Sequence, residues 1–128
     1  MPHFIVEYSS NIEEDLDIDD LLSKLHATAL ETGLFALGGI RVRAERRDHY
    51  IIADGKEDNA FLHLIARIRA GRTLEARKEA GEKIFATFCE ALAPHYDTRP
   101  LALSFEIQEI NPDLSFKQNN IHSYLKRN

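Results

Sequence analysis

The 128-residue chain has one cysteine, no tryptophan and few long apolar stretches. A single cysteine excludes a disulfide framework within the chain. The longest apolar stretches, such as Leu101–Phe105, are far shorter than the roughly 20 residues of a membrane-spanning helix. The beginning, MPHFIVE, lacks the basic and long apolar regions of a secretory signal, so we expect a cytoplasmic protein. Basic residues number 16 against 21 acidic ones, and the resulting net charge of −5 argues against a general nucleic-acid binder.

The length and composition are those of one ordinary globular domain. The hydrophobic share of 44% and the charged share of 29% exclude disordered and fibrous classes. A chain of this length buries a sizeable core without cross-links. We therefore predict a single domain over residues 1–128, with pseudo-repeat halves at about 1–48 and 49–128.

Hydrophobic periodicity divides the chain into alternating strands and helices. Period-two or short apolar runs predict strands at His3–Tyr8, Ile40–Glu45, His49–Ala53, Ala60–Ile68 and Leu101–Ile110. Steps of three and four predict helices from about Asp15 to Thr32, ended by Gly33, and from Leu74 to just before Pro94, with Thr73 as its N-cap. The tail, Phe116–Lys126, is predicted as a short helix or an arm.

This order predicts an α+β or α/β two-layer domain with helices on a mixed sheet, of which we favour an α+β fold of two β-α-β repeats with two helices packed on one face. Gly81 lies inside the second helix, where we expect close packing of the helix on the sheet. By pattern alone, a ferredoxin-like fold is an equal candidate.

Most residues with reactive side chains have a structural explanation. Six acids in positions 13–20 fit a solvated helix start, because acids are favourable near that end of the helix dipole. Cys89 lies on an apolar helix face, as a buried small hydrophobe does. Tyr8 and Tyr50 are expected to be half-buried at strand ends. No closely spaced pair suggests a metal site among the six histidines: His3, His26, His49, His63, His95 and His122.

Pro2 is the unusual position. Proline after the initiator methionine permits removal of Met1, which leaves a secondary amine at the very start of a strand. Burial or a neighbouring arginine lowers the pKa of such an amine, so that it is neutral near pH 7 and able to act as a general base. Retention of Met1 would make the same nitrogen an amide and remove this role.

The arginines are the second candidate feature. Arg41 begins a predicted strand, and Arg72 lies in a turn before a helix, where functional residues concentrate. Arginine suits bidentate recognition of carboxylates. Arg43, Arg46 and Arg47 are interpreted as solvated surface charges.

The chain resembles the 5-carboxymethyl-2-hydroxymuconate isomerase family of the tautomerase superfamily, whose members have an amino-terminal proline. The resemblance covers nearly the whole chain. Its residues are PHFIVE at 2–7, GIR at 39–41, ADG at 53–55, GRTLEAR at 71–77 with GE at 81–82, LALSFEI at 101–107 and FKQNN at 116–120. The last two blocks, together with Gly71 and Arg72, are the most specific.

The resemblance implies a tautomerase-like fold, a homotrimer with sites near subunit interfaces, and a small polycarboxylate substrate. Pro2 would shuttle a proton that converts the hydroxymuconate enol to its oxo-ene tricarboxylate isomer in homoprotocatechuate (aromatic) catabolism. Arg41 and Arg72 would be catalytic and substrate-binding residues, and no cofactor, metal, nucleic acid or membrane partner is expected. The alternatives are a tautomerase for another 2-hydroxydienoate or enol, and a non-catalytic domain that binds a small ligand or a protein.

Overall fold

The computed structural model describes residues 1–125, which form four strands, three α-helices and three short 3₁₀ helices. The strands are β1 (His3–Ser9), β2 (Arg41–Arg47), β3 (Ala60–Arg69) and β4 (Leu101–Ile110). The α-helices are α1 (Ile18–Glu31), α2 (Leu74–Tyr96) and α3 (Ile121–Leu125). The 3₁₀ helices span Ser10–Asp15, Leu37–Gly39 and Pro112–Leu114.

The strands form one mixed sheet in the order β2-β1-β3-β4. β1 runs parallel to β2, β3 runs parallel to β4, and the two parallel pairs join antiparallel between β1 and β3. In a ferredoxin-like split β-α-β unit, another strand separates the two strands that a helix connects. Here β1 and β2 are direct neighbours, as are β3 and β4, so the two-repeat prediction is confirmed and the ferredoxin-like alternative is wrong.

Both long helices pack on one face of the sheet, and the core lies between the two layers. Alternate residues of the central strands point into it, including Phe4 and Val6 of β1 and Leu62 and Leu64 of β3, all at most 1% exposed. The helices contribute Leu21, Leu25 and Ala29 from α1 and Ile84, Phe88 and Leu92 from α2. Each large apolar side chain buried in this way stabilises the fold by about 1.5–3 kcal/mol.

Local contacts explain where the helices begin and end. The carboxylate of Asp17 accepts a hydrogen bond from the Asp20 amide at 3.0 Å and starts α1, which Gly33 follows with a φ of +75°. The Thr73 hydroxyl accepts from the Ala76 amide at 3.1 Å and starts α2. At Gly81 an added Cβ would lie 3.1 Å from a methyl carbon of Ile107, which confirms close packing of α2 on β4.

Three predicted elements are corrected. The segment His49–Ala53 is not a strand, because the Asn59 side chain binds the Ile52 carbonyl at 3.0 Å and the Asp54 carboxylate at 2.8 Å and folds it into a turn. α2 continues past Pro94 to Tyr96, because the amides of Asp97 and Arg99 bind the Ala93 and His95 carbonyls and complete the turn around the proline. Asp15 ends a 3₁₀ helix rather than beginning α1.

The tail combines both predicted forms. Residues 116–120 have no regular structure and lead into the short helix α3. Lys126, the last residue of the predicted tail, lies outside the described residues. Within the described chain, no helix is both long and apolar enough to cross a bilayer.

We predict that Thr73→Ala lowers the free energy of unfolding by about 1 kcal/mol, because the first turn of α2 loses its side-chain cap. Thr73→Ser keeps the hydroxyl and is the matched control. Urea unfolding at one fixed protein concentration measures both variants. Equal stability of Thr73→Ala and the wild type would show that the cap contributes nothing.

Candidate active site

The topology brings the starts of β1 and β2 and the ends of β3 and β4 to one edge of the sheet, where Pro2 lies. β1 and β2 begin at this edge, and β3 ends there because it runs antiparallel to β1. The Pro2 side chain is buried, and its carbonyl accepts a hydrogen bond from the Arg41 amide at 3.1 Å. The structure therefore joins two of the predicted site residues directly through the backbone.

Met1 lies over Pro2 in a small opening at this edge. A cavity of about 140 Å³ is lined by Met1, Arg69, Ile110, Pro112, Ser115 and Lys117. The Met1 sulfur is 3.9 Å from the Ser115 hydroxyl. Gly39 permits the close approach of the terminus, since a Cβ there would lie only 2.9 Å from the Met1 nitrogen. Removal of Met1 would enlarge this cavity and expose the Pro2 nitrogen in it.

The surroundings of the amino terminus disfavour a protonated amine. Burial lowers the pKa of the Met1 amine below its ordinary value, and the charges of Arg41 and Lys117 lower it further. The neighbouring His3 imidazole also has a lowered pKa, first through burial and then through Arg43 and the other nearby cations. This edge of the sheet is thus electropositive although the whole chain is acidic.

Arg41 is the first residue of β2 and pairs with His3 in the sheet register. Within residues 1–125 its guanidinium makes one hydrogen bond, to the Gly39 carbonyl at 3.2 Å. A guanidinium carries five N–H donors in a fixed fork, so most of them remain available to a ligand.

Arg72 lies in the loop between β3 and α2, at the same edge but on the helix side. Its guanidinium donates to the Leu34 carbonyl at 2.6 Å and to the Arg69 carbonyl at 3.0 Å. It also lies over the Phe35 ring, with 5.2 Å to the ring centroid. Phe35 packs edge-on against Phe4, two residues after Pro2. Arg72 therefore reaches the neighbourhood of Pro2 through this aromatic pair rather than by direct contact.

Ion pairing divides the described arginines into two groups. Arg46, Arg47, Arg77 and Arg99 each pair with a carboxylate. Five others make no ion pair within residues 1–125, and all lie at or beside the strand termini around Pro2: Arg41, Arg43, Arg67, Arg69 and Arg72. Unpaired cations at one place favour an anionic ligand.

The chain after β4 supplies residues that the sequence did not predict for this site. Because the sheet order is β2-β1-β3-β4, a segment that leaves β4 and binds next to β2 crosses the ends of β3 and β1. Residues 111–119, the crossing segment, do this: the Asn119 side chain donates to the Gly38 carbonyl at 2.9 Å. The crossing segment thereby brings Lys117 to the cavity at Met1, which Arg69 of β3 also lines. Membership of Lys117 in the FKQNN block was the only sequence signal for it.

Some reactive side chains were given a structural explanation from the sequence. They lie away from this edge or make contacts elsewhere in the fold. Cys89 is half-buried on α2, and burial raises the pKa of its thiol. Tyr8 is fully buried rather than half-buried, and burial together with Glu13 raises the pKa of its phenol. In residues 1–125 no three histidine, cysteine, aspartate or glutamate side chains are grouped as a metal site requires.

Comparison with known proteins decides the family. The profile of the 5-carboxymethyl-2-hydroxymuconate isomerase family matches residues 2–125. A curated 5-carboxymethyl-2-hydroxymuconate Delta-isomerase from Escherichia coli is 48% identical over 126 residues, which cover 98% of this chain and 100% of that protein. The chain belongs to the 5-carboxymethyl-2-hydroxymuconate isomerase family.

Two solved structures agree with this assignment. A 5-carboxymethyl-2-hydroxymuconate isomerase from Deinococcus radiodurans R1 superposes with a TM-score of 0.91 at 40% identity, over 97% of this chain and 93% of that one. A 5-carboxymethyl-2-hydroxymuconate delta-isomerase superposes with a TM-score of 0.92 at 31% identity, over 98% and 93% of the two chains. The family and the isomerase class predicted from the sequence are therefore confirmed.

In this isomerase-family chain, we expect Arg41→Ala to raise the pKa of the terminal amine. The guanidinium disfavours the protonated amine, so its removal makes protonation easier. Titration of the terminal nitrogen by NMR measures the change. Arg46→Ala removes the same charge at the opposite end of β2 and should leave the pKa unchanged. A terminal amine that titrates alike in all three proteins would contradict the expectation.

Proposed function

We propose that the mature chain, beginning at Pro2, isomerises 5-carboxymethyl-2-hydroxymuconate to its oxo-ene tricarboxylate isomer in homoprotocatechuate catabolism. Family membership and the 48% identity to the Escherichia coli isomerase support this reaction. The observation that carries the proposal is that burial, Arg41 and Lys117 lower the pKa of the Met1 amine, one residue from the Pro2 nitrogen, so this end of the sheet disfavours a charged amine. This is the environment that a neutral base and a polyanionic substrate both require.

The proposed reaction is a proton transfer within one conjugated system. The neutral Pro2 amine removes the proton of the enol hydroxyl, and the electron pair left on oxygen forms the ketone as the conjugated double bonds shift. The resulting secondary ammonium returns a proton to a carbon at the far end of the system. One group thus serves as base and then as acid, with no net gain or loss of protons or electrons.

Arg41 and Arg72 are proposed to bind substrate carboxylates and to stabilise the dienolate oxygen. Arg41 keeps most of its donors free beside Pro2. Arg72 is held in place by two backbone carbonyls and the Phe35 ring, so its remaining N–H groups are oriented before substrate binds. Such pre-oriented donors are effective because they need no rearrangement when charge develops.

We further propose that the functional unit is a homotrimer in a reducing cytoplasm. The sheet face opposite the helices carries half-buried apolar side chains, among them Ile5, Phe61 and Ile65, whereas the core lies on the other face. A second copy of the chain would cover this face. The single cysteine, Cys89, has no partner in the chain and fits a reducing compartment.

We predict that Pro2→Ala lowers kcat on the hydroxymuconate by several tens of fold or more while KM changes little. A primary amine at the same position is a poorer match to the cavity that the proline ring fills, but the arginines still bind the substrate. General-base catalysis raises the rate of such a step by about 10²–10⁴-fold, and this is the rate enhancement that the substitution can remove. Steady-state kinetics on mature protein, with the free terminus verified by intact mass, measure the effect. Unchanged kcat in a correctly processed variant would remove Pro2 from the mechanism.

A panel of substrates, together with the identity of the first residue of the chain, distinguishes this function from the two alternatives. Higher turnover on another 2-hydroxydienoate or on a phenylpyruvate-like enol would identify a tautomerase of different specificity. A chain that keeps Met1 in its host and turns over none of these compounds would be a non-catalytic binding domain.

For the trimer, we predict a native mass of three chains, and dissociation of the assembly in Ile65→Asp. Ile65 pairs with Ile5 at the centre of the open sheet face, where a buried carboxylate without a partner is costly. Ala86→Asp adds the same charge on the exposed side of α2 and should leave the mass unchanged. Analytical ultracentrifugation measures all three proteins. A trimeric Ile65→Asp variant would place the interface elsewhere.

A further inference from the structure

The proposed substrate has three carboxylates, whereas only Arg41 and Arg72 have been assigned to bind it. The compound without the carboxymethyl group, 2-hydroxymuconate, has two. A protein that selects the tricarboxylate needs a third cation at a fixed place in the site, because an uncompensated carboxylate would lose its hydration without replacement. The candidates are the other cations that line the cavity at the amino terminus, Arg69 and Lys117.

Lys117 is held at this place by contacts on both sides of it in the chain. On one side, the Asn111 side chain accepts from the Asp113 amide at 3.0 Å and turns the chain out of β4. On the other side, Asn119 donates to the Gly38 carbonyl at 2.9 Å and accepts from the Ile121 amide at 2.8 Å.

The helix that follows the crossing segment secures it further. α3 packs on the Leu37–Gly39 turn, and a Cβ added at Gly38 would lie within 2.8 Å of three His122 ring atoms. Gly38 therefore leaves the space that lets His122 seat here. The crossing segment is thus fixed against the residues that precede β2, and its position relative to Pro2 is defined by the fold.

The Lys117 side chain is free to meet a ligand. It is exposed, it makes no ion pair within residues 1–125, and it lines the cavity that Met1 occupies. The charges of Lys117 and Arg41 both lower the pKa of the Met1 amine, so Lys117 acts electrostatically at the amino terminus, one residue from the Pro2 nitrogen. Arg69 borders the same cavity, but the cations that lower the pKa of the Met1 amine are Arg41 and Lys117, which favours Lys117 as the cation nearer the amino terminus.

We propose that Lys117 binds the carboxylate that distinguishes the tricarboxylate substrate from 2-hydroxymuconate, and so sets the substrate specificity of this isomerase. The proposal rests on the proposed function and deepens it. A lysine ammonium is a compact charge on a flexible stem, suited to a carboxylate that hangs from the reacting chain on a methylene group. Arg41 and Arg72 then remain with the two carboxylates that both compounds share.

The test compares Lys117→Ala with the wild type on both compounds. A charge-assisted contact of this kind corresponds to a loss of about 10- to 100-fold in kcat/KM on the tricarboxylate, mostly through KM. We expect only a small loss on 2-hydroxymuconate, so the preference for the tricarboxylate should largely disappear. Lys83→Ala, which removes the same charge from the exposed side of α2, is the control and should keep the preference.

Equal losses on both compounds would overturn the proposal, because Lys117 would then attract anions without recognising the third carboxylate. An unchanged preference would overturn it as well. Lys117→Arg should keep part of the preference, which separates loss of charge from disturbance of the crossing segment.

A binding measurement separates this proposal from the proposed reaction. Calorimetry at one ionic strength compares tricarballylate, a saturated tricarboxylate, with the dicarboxylate glutarate. Tighter binding of tricarballylate to the mature wild type, lost in Lys117→Ala, supports the subsite even if the chain turns over no muconate. Equal affinities in the wild type and the variant would reject the subsite even if the isomerase is active.

Discussion

The antiparallel pairing of β1 with β3 is the interaction on which the rest of this structure depends. It joins two parallel β-α-β units, and its register places His3 opposite Arg67. The same register turns Phe4, Val6, Leu62 and Leu64 toward the helices. A slip of one residue would invert every side chain of a central strand and move the core residues to the open face. It would also move the start of β1 away from the end of β3, where Arg69 and Arg72 lie.

The distribution of charge shows how an acidic chain maintains a basic site. At the far end of β2, Arg46 and Arg47 are paired with Glu13, Glu7 and other acids, at positions about half exposed to solvent. Such pairs contribute little stability, but they neutralise one another. Around Pro2, by contrast, Arg41, Arg67 and Arg69 make no ion pair within residues 1–125, so their charges remain. The net charge of −5 therefore describes the protein as a whole and does not predict the charge of the ligand that binds at this edge.

How much of this was predictable depends on the distance over which each signal acts. Caps and turns are local, so Thr73 and Gly33 were identified from their neighbours in the sequence. Pro2, Arg41 and Arg72 were identified by the terminal position, the strand start and the family resemblance, but no pattern in the chain indicates that strand register brings them to one edge. His49–Ala53 has the composition of a strand, yet the Asn59 side chain, which lies outside the segment and binds Ile52 seven residues earlier, folds it into a turn.

Lys117 was missed for a reason of the same kind. It belongs to a segment without regular structure, and no periodicity places such a segment over the sheet. Its position follows from Asn119 meeting the carbonyl of Gly38, a contact between residues 81 positions apart. Pro94 illustrates the opposite case: the local signal predicts a helix end before the proline, but the amides of Asp97 and Arg99 bind carbonyls of the last turn, and α2 continues to Tyr96.

The burial of the amino terminus restricts how this protein can be joined to other proteins. The chain begins in a narrow space between Gly39 and the crossing segment, so any upstream extension would have to pass between them. A fusion partner or affinity tag at this end would lift residues 111–119 from the sheet or unpair the first residues of β1. In this chain, an amino-terminal fusion would therefore disturb the candidate site itself.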